Sequence, residues 1–305
     1  MPAPSRSALV IAFTTIYLVW GSTYLGIRVA MESIPLFAMA GARFTLAGAL
    51  LLIWVRWRGA PAPTARQWAI NGIVGLFLLL GGNGLVVWAE QFIPTGITAL
   101  LVGVSPLFIV LTEWAWPGGI RPSAATAGAL LVGFFGVAWL AAPWESDAHG
   151  GLYIPGLIAL LTACLLWSIG LIYSRHAKHG ADPLVASSLQ MLTGGAALLV
   201  TATLHGDFVR LDLAQITAHS WAAFIYLVLI GSLVGFSTFV WLMKKCAPAQ
   251  VATYAYVNPV VAVFLGWLLH HEPINSRTLV AAAIIVAAVA MITIQKNSAA
   301  KSKSA

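Results

Sequence analysis

Ten stretches of this chain, each about 20 residues long, carry almost no charge: residues 8–27, 35–55, 69–89, 95–115, 122–141, 153–173, 183–204, 221–242, 249–269 and 278–294. The hydrocarbon layer of a bilayer is about 30 Å thick, which a helix crosses in about 20 residues. Inside it, a segment must satisfy its own backbone hydrogen bonds, and for runs of this length that means an α-helix. The chain is therefore expected to be an all-α polytopic membrane protein with ten transmembrane helices. Composition agrees: 60% of residues are hydrophobic and 8% charged, against about 25% charged in an average soluble domain. Only short polar segments separate the stretches, such as "RWRGAPAPTARQ", "WPGGIR" and "PWESDAHGG". None can hold a soluble domain. The run 8–27 is too long for the apolar part of a cleaved leader and no small-x-small site follows it, so it reads as the first span.

Basic residues in a membrane protein gather on the cytoplasmic side. Arg6, Arg56, Arg58, Arg66, Arg121, Arg175, Lys178, Lys244, Lys245, Lys296, Lys301 and Lys303 fall on the side of the N-terminus. Arg28, Arg210 and Arg277 fall on the other, and Arg43 lies within a span. Twelve against three puts both termini on the cytoplasmic side of the membrane, with the acidic loop of Glu145 and Asp147 outside. The net charge of +7 is thus explained by the bilayer as partner, without nucleic acid. Cys164 and Cys246 make neither metal-ligand spacing nor a disulfide framework and read as packing residues. No metal or cofactor is expected.

The two halves resemble each other. A shift of 147 carries Trp20 onto Trp167, Arg28 onto Arg175, Arg43 onto Gln190 and Gly48 onto Gly195. After the second span the shift becomes 153, pairing Trp68 with Trp221, Gly82 with Gly235, Trp88 with Trp241, Ala99 with Ala252 and Pro106 with Pro259. Five spans per half is an odd number, so the second half enters the membrane from the opposite side. The expected architecture is two inverted five-helix repeats, residues 1–149 and 150–305, the second ending in a short basic tail. Such repeats place a binding site near the midplane between them.

The strings "WGSTYLGIR", "MAGARFTLAG", "GGNGLVVWAEQ" and "TYAYVNPVVAVFLGWLL…E", with the five-plus-five repeat, resemble the EamA branch of the drug/metabolite transporter superfamily. The resemblance covers nearly the whole chain. It implies a ten-helix inverted-repeat carrier whose relatives include exporters of amino acids and other metabolites. Members often carry a glutamate after the fourth span of each half. Here the second half has Glu272 in "HHEPI", while the first reads "WPGGIRPS" with none, and no function is attached to that feature.

Polar residues inside the spans are the candidate site. Trp20, Thr23, Tyr24 and Ile27 share one helical face. Facing lipid, their polar groups would be poorly satisfied, so they line a cavity or pack against other helices. Trp167 is the repeat partner of Trp20. Asn83 and Glu90 share a face of the third span. A carboxyl at the end of a span is by default solvated; drawn into a partly dry vestibule, Glu90 would serve proton coupling or gating. Arg43 is either a structural side chain, bonding backbone carbonyls or snorkelling, or an anchor for a substrate carboxylate. Pro106 and Pro259 interrupt the fourth and ninth spans and are candidate hinges. Ser105 and Asn258 beside them can satisfy freed backbone groups, and Tyr254 shares a face with Asn258. Trp88 and Trp241, near span ends, read as interfacial anchors. The fifth and tenth spans, with Gly133 and Gly136, read as close-packing scaffold.

Intramembrane enzymes need their chemistry in the spans, and the sequence has no HExxH or GxSxG motif. All six lysines lie at span ends or in tails, which excludes a retinal Schiff base in mid-span. A carrier of phosphorylated sugars would place several basic residues in its cavity, and only Arg43 is deep. A secondary transporter remains, working by alternating access on solutes that are small and neutral, zwitterionic or aromatic. The resemblance implies amino acids or related amphipathic metabolites, export as the direction, and a bacterial inner membrane as the location. The competing reading is a non-transporting membrane subunit or sensor. Oligomeric state is not legible.

Overall fold

The computed structural model describes residues 5–119, 121–141, 153–177, 180–246, 251, 253–272 and 274–302. Glu145, Asp147, the boundary at 149/150, Lys178, residues 249 and 250, Ala252 and Lys303 lie outside the described residues. The described chain is nearly all helical and contains ten helical rods: α1 (Arg6–Ala30), α2 (Leu36–Trp57), α3 (Ala65–Ala89), α4 (Thr95–Ala115), α5 (Ala124–Ala141), α6 (Ile154–His176), α7 (Pro183–His205), α8 (Ala218–Met243), α9 (Tyr254–His270) and α10 (Ser276–Ser302). Seven of them, α1 to α4 and α6 to α8, are long and apolar enough to cross a membrane. The other three carry shorter apolar stretches, Ala124–Leu140, Val257–His270 and Ser276–Met291.

Three rods depart from a plain α-helix. The middle of α3, Leu76–Asn83, and the middle of α8, Leu227–Val234, are wound as wider π turns. Such turns admit an extra residue and often mark functional sites. In α4, the helix Thr95–Val102 gives way at Gly103 and Val104 to a second helix, Ser105–Ala115. Pro106 has no N–H to donate, which frees the carbonyl of Val102. The Ser105 hydroxyl donates to that carbonyl at 2.6 Å. Pro259, by contrast, sits inside a continuous α9.

Several helices start with their own side-chain caps. Thr64 and Gln67 form a reciprocal capping box on α3, and Thr217 accepts from Ser220 N at 3.2 Å on α8. Helices α2 and α4 cannot do this, because their cap positions are Pro35 and Pro94. Carboxylates from the second half of the chain cap them instead. Asp207 Oδ2 accepts from Phe37 N at 2.8 Å and Ala38 N at 3.0 Å. Glu272 accepts from Thr95 N at 2.8 Å, Thr95 Oγ1 at 2.8 Å and Gly96 N at 3.1 Å. Negative charge at a helix N-terminus meets both unpaired N–H groups and the positive end of the helix dipole.

Packing follows the small residues. α2 and α7 cross closely: a Cβ on Gly48 would lie 2.8 Å from Leu192 N, and one on Gly195 would lie 2.6 Å from Thr45 N. α5 packs on α10, where a Cβ on Gly136 would lie 2.9 Å from Ile284 and Ile285. One buried apolar cluster centres on α2 and α7, with Met39, Phe44, Leu189 and Leu198. A second joins α4, α5, α6 and α10 through Leu100, Leu107, Leu160 and Ile285. A third, smaller one joins the start of α1 to the end of α8, with Ile16 and Leu242.

Candidate functional site

A cavity of about 160 Å³ lies midway along the bundle, enclosed by residues of α1, α2, α3, α4, α6, α8 and α9. Trp20, Thr23, Tyr24, Asn83, Ser105, Trp167, Tyr254 and Asn258 all stand on its wall, together with Arg43, Pro106 and Pro259. A helix puts residues 20, 23, 24 and 27 on one face, and α1 turns that face inward, with Ile27 beside the other three. Six aromatic side chains stand on the wall: Trp20, Tyr24, Phe44, Trp167, Phe236 and Tyr254. Trp20 packs edge-on against Tyr254 with ring centres 5.0 Å apart, and against Phe236 at 5.7 Å. Trp167 faces the cavity from α6.

The polar groups divide into those already bonded and those free. Thr23 donates to the carbonyl of Trp20 at 2.7 Å. With its side-chain amide in the orientation that satisfies both ends, Asn258 donates to the carbonyls of Tyr254 and Tyr17 at 3.1 and 3.3 Å. It thereby ties α9 to α1. Among the described residues, no hydrogen bond is made by the side chains of Asn83, Tyr24 or Tyr254. They present donors and acceptors to the cavity.

Arg43 is 5% exposed. Its Nε donates to Ser232 Oγ at 3.0 Å, and its guanidinium lies 4.7 Å from the centre of the Phe44 ring. It neither snorkels to the end of its helix nor, among the described residues, bonds a backbone carbonyl; the π turns of α8 bring Ser232 within its reach instead. Its repeat partner Gln190 is engaged elsewhere, donating to Asn71 at 3.0 Å.

Glu90 is not on the cavity wall, and it is not solvated. It is wholly buried, and neither carboxyl oxygen has a hydrogen-bond partner among the described residues. Arg28 reaches it only at the backbone, donating to its carbonyl at 2.6 Å. Glu90 lies in the turn after α3, where Arg28 at the end of α1 meets its backbone. Counting residues to the end of the span does not reveal that packing.

Several wall residues carry no signal in the sequence. Phe236, Ile109, Val86 and Cys164 line the cavity but look like any core residue. Gly82 and Gly235 matter for where they lie. A Cβ on Gly82 would sit 2.9 Å from the Trp167 ring, and one on Gly235 would sit 2.5 Å from Trp20 Nε1. Each tryptophan thus rests on a glycine of the other half. The other cysteine, Cys246, is partly exposed and, like Cys164, free. Trp88 packs between the two larger clusters, and Trp241 packs on the third.

The sequence profile described as the EamA-like transporter family matches residues 7–142 and 154–294. The chain is 33% identical over 286 residues to a protein of Escherichia coli strain K12 described as "Uncharacterized inner membrane transporter YedA", covering 93% of this chain and 90% of that one. It is 23% identical to "Uncharacterized transporter YvbV" of Bacillus subtilis, over 94% of this chain and 92% of that one. It is 24% identical to "WAT1-related protein At3g02690, chloroplastic" of Arabidopsis thaliana, over 90% of this chain and 67% of that one. A solved crystal structure with 24% sequence identity superposes with a TM-score of 0.65 over 95% of this chain and 99% of its own.

Proposed function

The chain belongs to the EamA-like transporter family, a multi-pass membrane transporter similar to YedA, and on that premise we propose that it is a secondary exporter of small amphipathic metabolites, amino acids or related compounds among them. Residues 1–149 and 150–305 act as two inverted five-helix repeats, ten spans in all, with both termini in the cytoplasm. The repeats rock about the cavity and open it to each side in turn. Trp20, Thr23, Tyr24, Asn83, Ser105, Trp167, Tyr254 and Asn258 contact the solute. Pro106 and Pro259 let α4 and α9 bend. Glu90 serves coupling or gating.

One observation carries this reading: the aromatic wall is built reciprocally, with Trp20 of α1 on Gly235 of α8 and Trp167 of α6 on Gly82 of α3. Exchanging the halves exchanges one contact for the other. Other features support it. α2 packs with its counterpart α7, and α5 with its counterpart α10. The π turns fall in the counterparts α3 and α8.

The test is reconstitution of the purified chain into liposomes, followed by counterflow with amino acids and aromatic metabolites. Solute-specific uptake that Trp20→Ala reduces supports the proposal. A folded protein that moves no solute is the non-transporting subunit or sensor instead.

A further inference from the structure

We infer that the carried solute is an organic monocarboxylate with an apolar or single-ring body, bound through its carboxylate to the guanidinium of Arg43, and that binding needs no ammonium group on the solute. The inference rests on the cavity being the solute site, as proposed above.

Arg43 is the starting point. Among the described residues that line the cavity it is the single charged side chain. It is 95% buried by its 5% exposure, yet the described ion pairs, Arg175 with Glu113, His205 with Asp207 and His270 with Glu32, leave it out. Its Nε is occupied by Ser232 and its guanidinium carbon lies over the Phe44 ring. The two terminal amino groups make no hydrogen bond among the described residues. These two contacts hold the guanidinium at Nε and against Phe44, and leave its two terminal amino groups for a carboxylate, which they can take through two parallel hydrogen bonds.

A positive charge in a cavity of low polarity is stabilised by an anion. The buried Glu90 is not on the wall, and neither of its carboxyl oxygens has a hydrogen-bond partner among the described residues. The protein therefore does not neutralise Arg43 by direct contact, and the solute is left to do so. A cationic solute would add a second positive charge. A neutral one would leave the guanidinium uncompensated. A phosphate ester would bring two negative charges to one cation. For a zwitterion, no acidic side chain among the described lining residues awaits the ammonium group.

The rest of the wall sets the body of the solute. Trp20, Phe236, Tyr254 and Trp167 offer flat aromatic surface. A dry apolar cavity of about 150 Å³ accommodates one benzene ring, and this one measures about 160 Å³.

Four probes that share a phenyl body separate the possibilities: 3-phenylpropionate, 3-phenylpropanamide, 3-phenylpropylamine and L-phenylalanine. Binding to the purified full chain in lipid nanodiscs is measured by calorimetry. The expected result is 3-phenylpropionate binding at least tenfold tighter than the amide or the amine, and no weaker than L-phenylalanine. Arg43→Gln should erase the preference for propionate over propanamide. Arg43→Lys, which keeps the charge but loses the fork, should retain part of it. If Arg43→Gln fails to fold, the wild-type ranking and Arg43→Lys decide. Equal binding of amide and propionate, a preference that survives Arg43→Gln, or L-phenylalanine binding more than tenfold tighter would each overturn the inference. Flux of other solutes without a carboxylate preference would overturn it and leave the transporter reading standing. Tight carboxylate binding without any flux would do the reverse.

Discussion

The indole of Trp20 rests on Gly235 so closely that a Cβ there would lie 2.5 Å from its Nε1. The contact joins the first helix of one half to the third helix of the other, and Trp167 on Gly82 repeats it with the halves exchanged. Neither glycine is needed for an unusual backbone angle; each is needed for room.

Gly235→Ala should therefore push Trp20 into the cavity. Overpacking of this kind costs about 1–3 kcal/mol. The expected outcome is a lower melting temperature with a several-fold loss of flux, and Gly82→Ala should act the same way through Trp167. Melting curves and liposome uptake on the two variants check this.

Trp20→Ala should impair flux while membrane insertion and yield stay intact, because Trp20 is half-buried on the cavity wall rather than part of a buried cluster. Uptake per inserted molecule is the readout. Unchanged uptake would remove Trp20 from the solute contacts.

Glu272→Gln keeps the shape of the side chain and removes its charge, so the three bonds it accepts at Thr95 and Gly96 lose their ionic part. Hydrogen bonds to charged groups contribute about 1.5–3 kcal/mol, and the loss should appear as a lower melting temperature. Asp207→Asn should do the same at α2. The two caps serve different helices, so their effects should add when combined. A shift much larger than the sum would mean that the two helix starts move together.

Glu90→Gln tests the buried carboxyl at the end of α3. If Glu90 carries the coupling, the variant still binds solute but loses any stimulation of flux by a proton gradient across the liposome. Equal stimulation in the variant would assign coupling to another group.

Much of this architecture was legible in the sequence because the bilayer imposes a length. The boundaries expected for the fourth rod, residues 95–115, are those of α4. The polar residues on the cavity wall were legible for a related reason: Thr23, Asn83 and Asn258 stand out against apolar neighbours, and helical spacing says which of them share a face. Phe236 and Cys164 had no such contrast. The π turns were hidden because "LFLLLGGN" and "LVLIGSLV" read as ordinary apolar helix at any winding. The caps at α2 and α4 were hidden because Asp207 and Glu272 act on residues about 170 positions away. Glu272 had no role assigned from the sequence, and the structure supplies a structural one. The burial of Glu90 comes from tertiary packing, which helical spacing within one span does not report.

The central claim is that one cavity between the two halves opens to each side of the membrane in turn. Its most direct test is a single cysteine at Thr23, on the cavity wall, in a chain with Cys164 and Cys246 replaced by serine. A membrane-impermeant maleimide is applied to inside-out or right-side-out vesicles. The expected result is labelling from either side, slowed in both cases by a transported solute. Labelling from one side only, or labelling that no solute affects, would contradict alternating access.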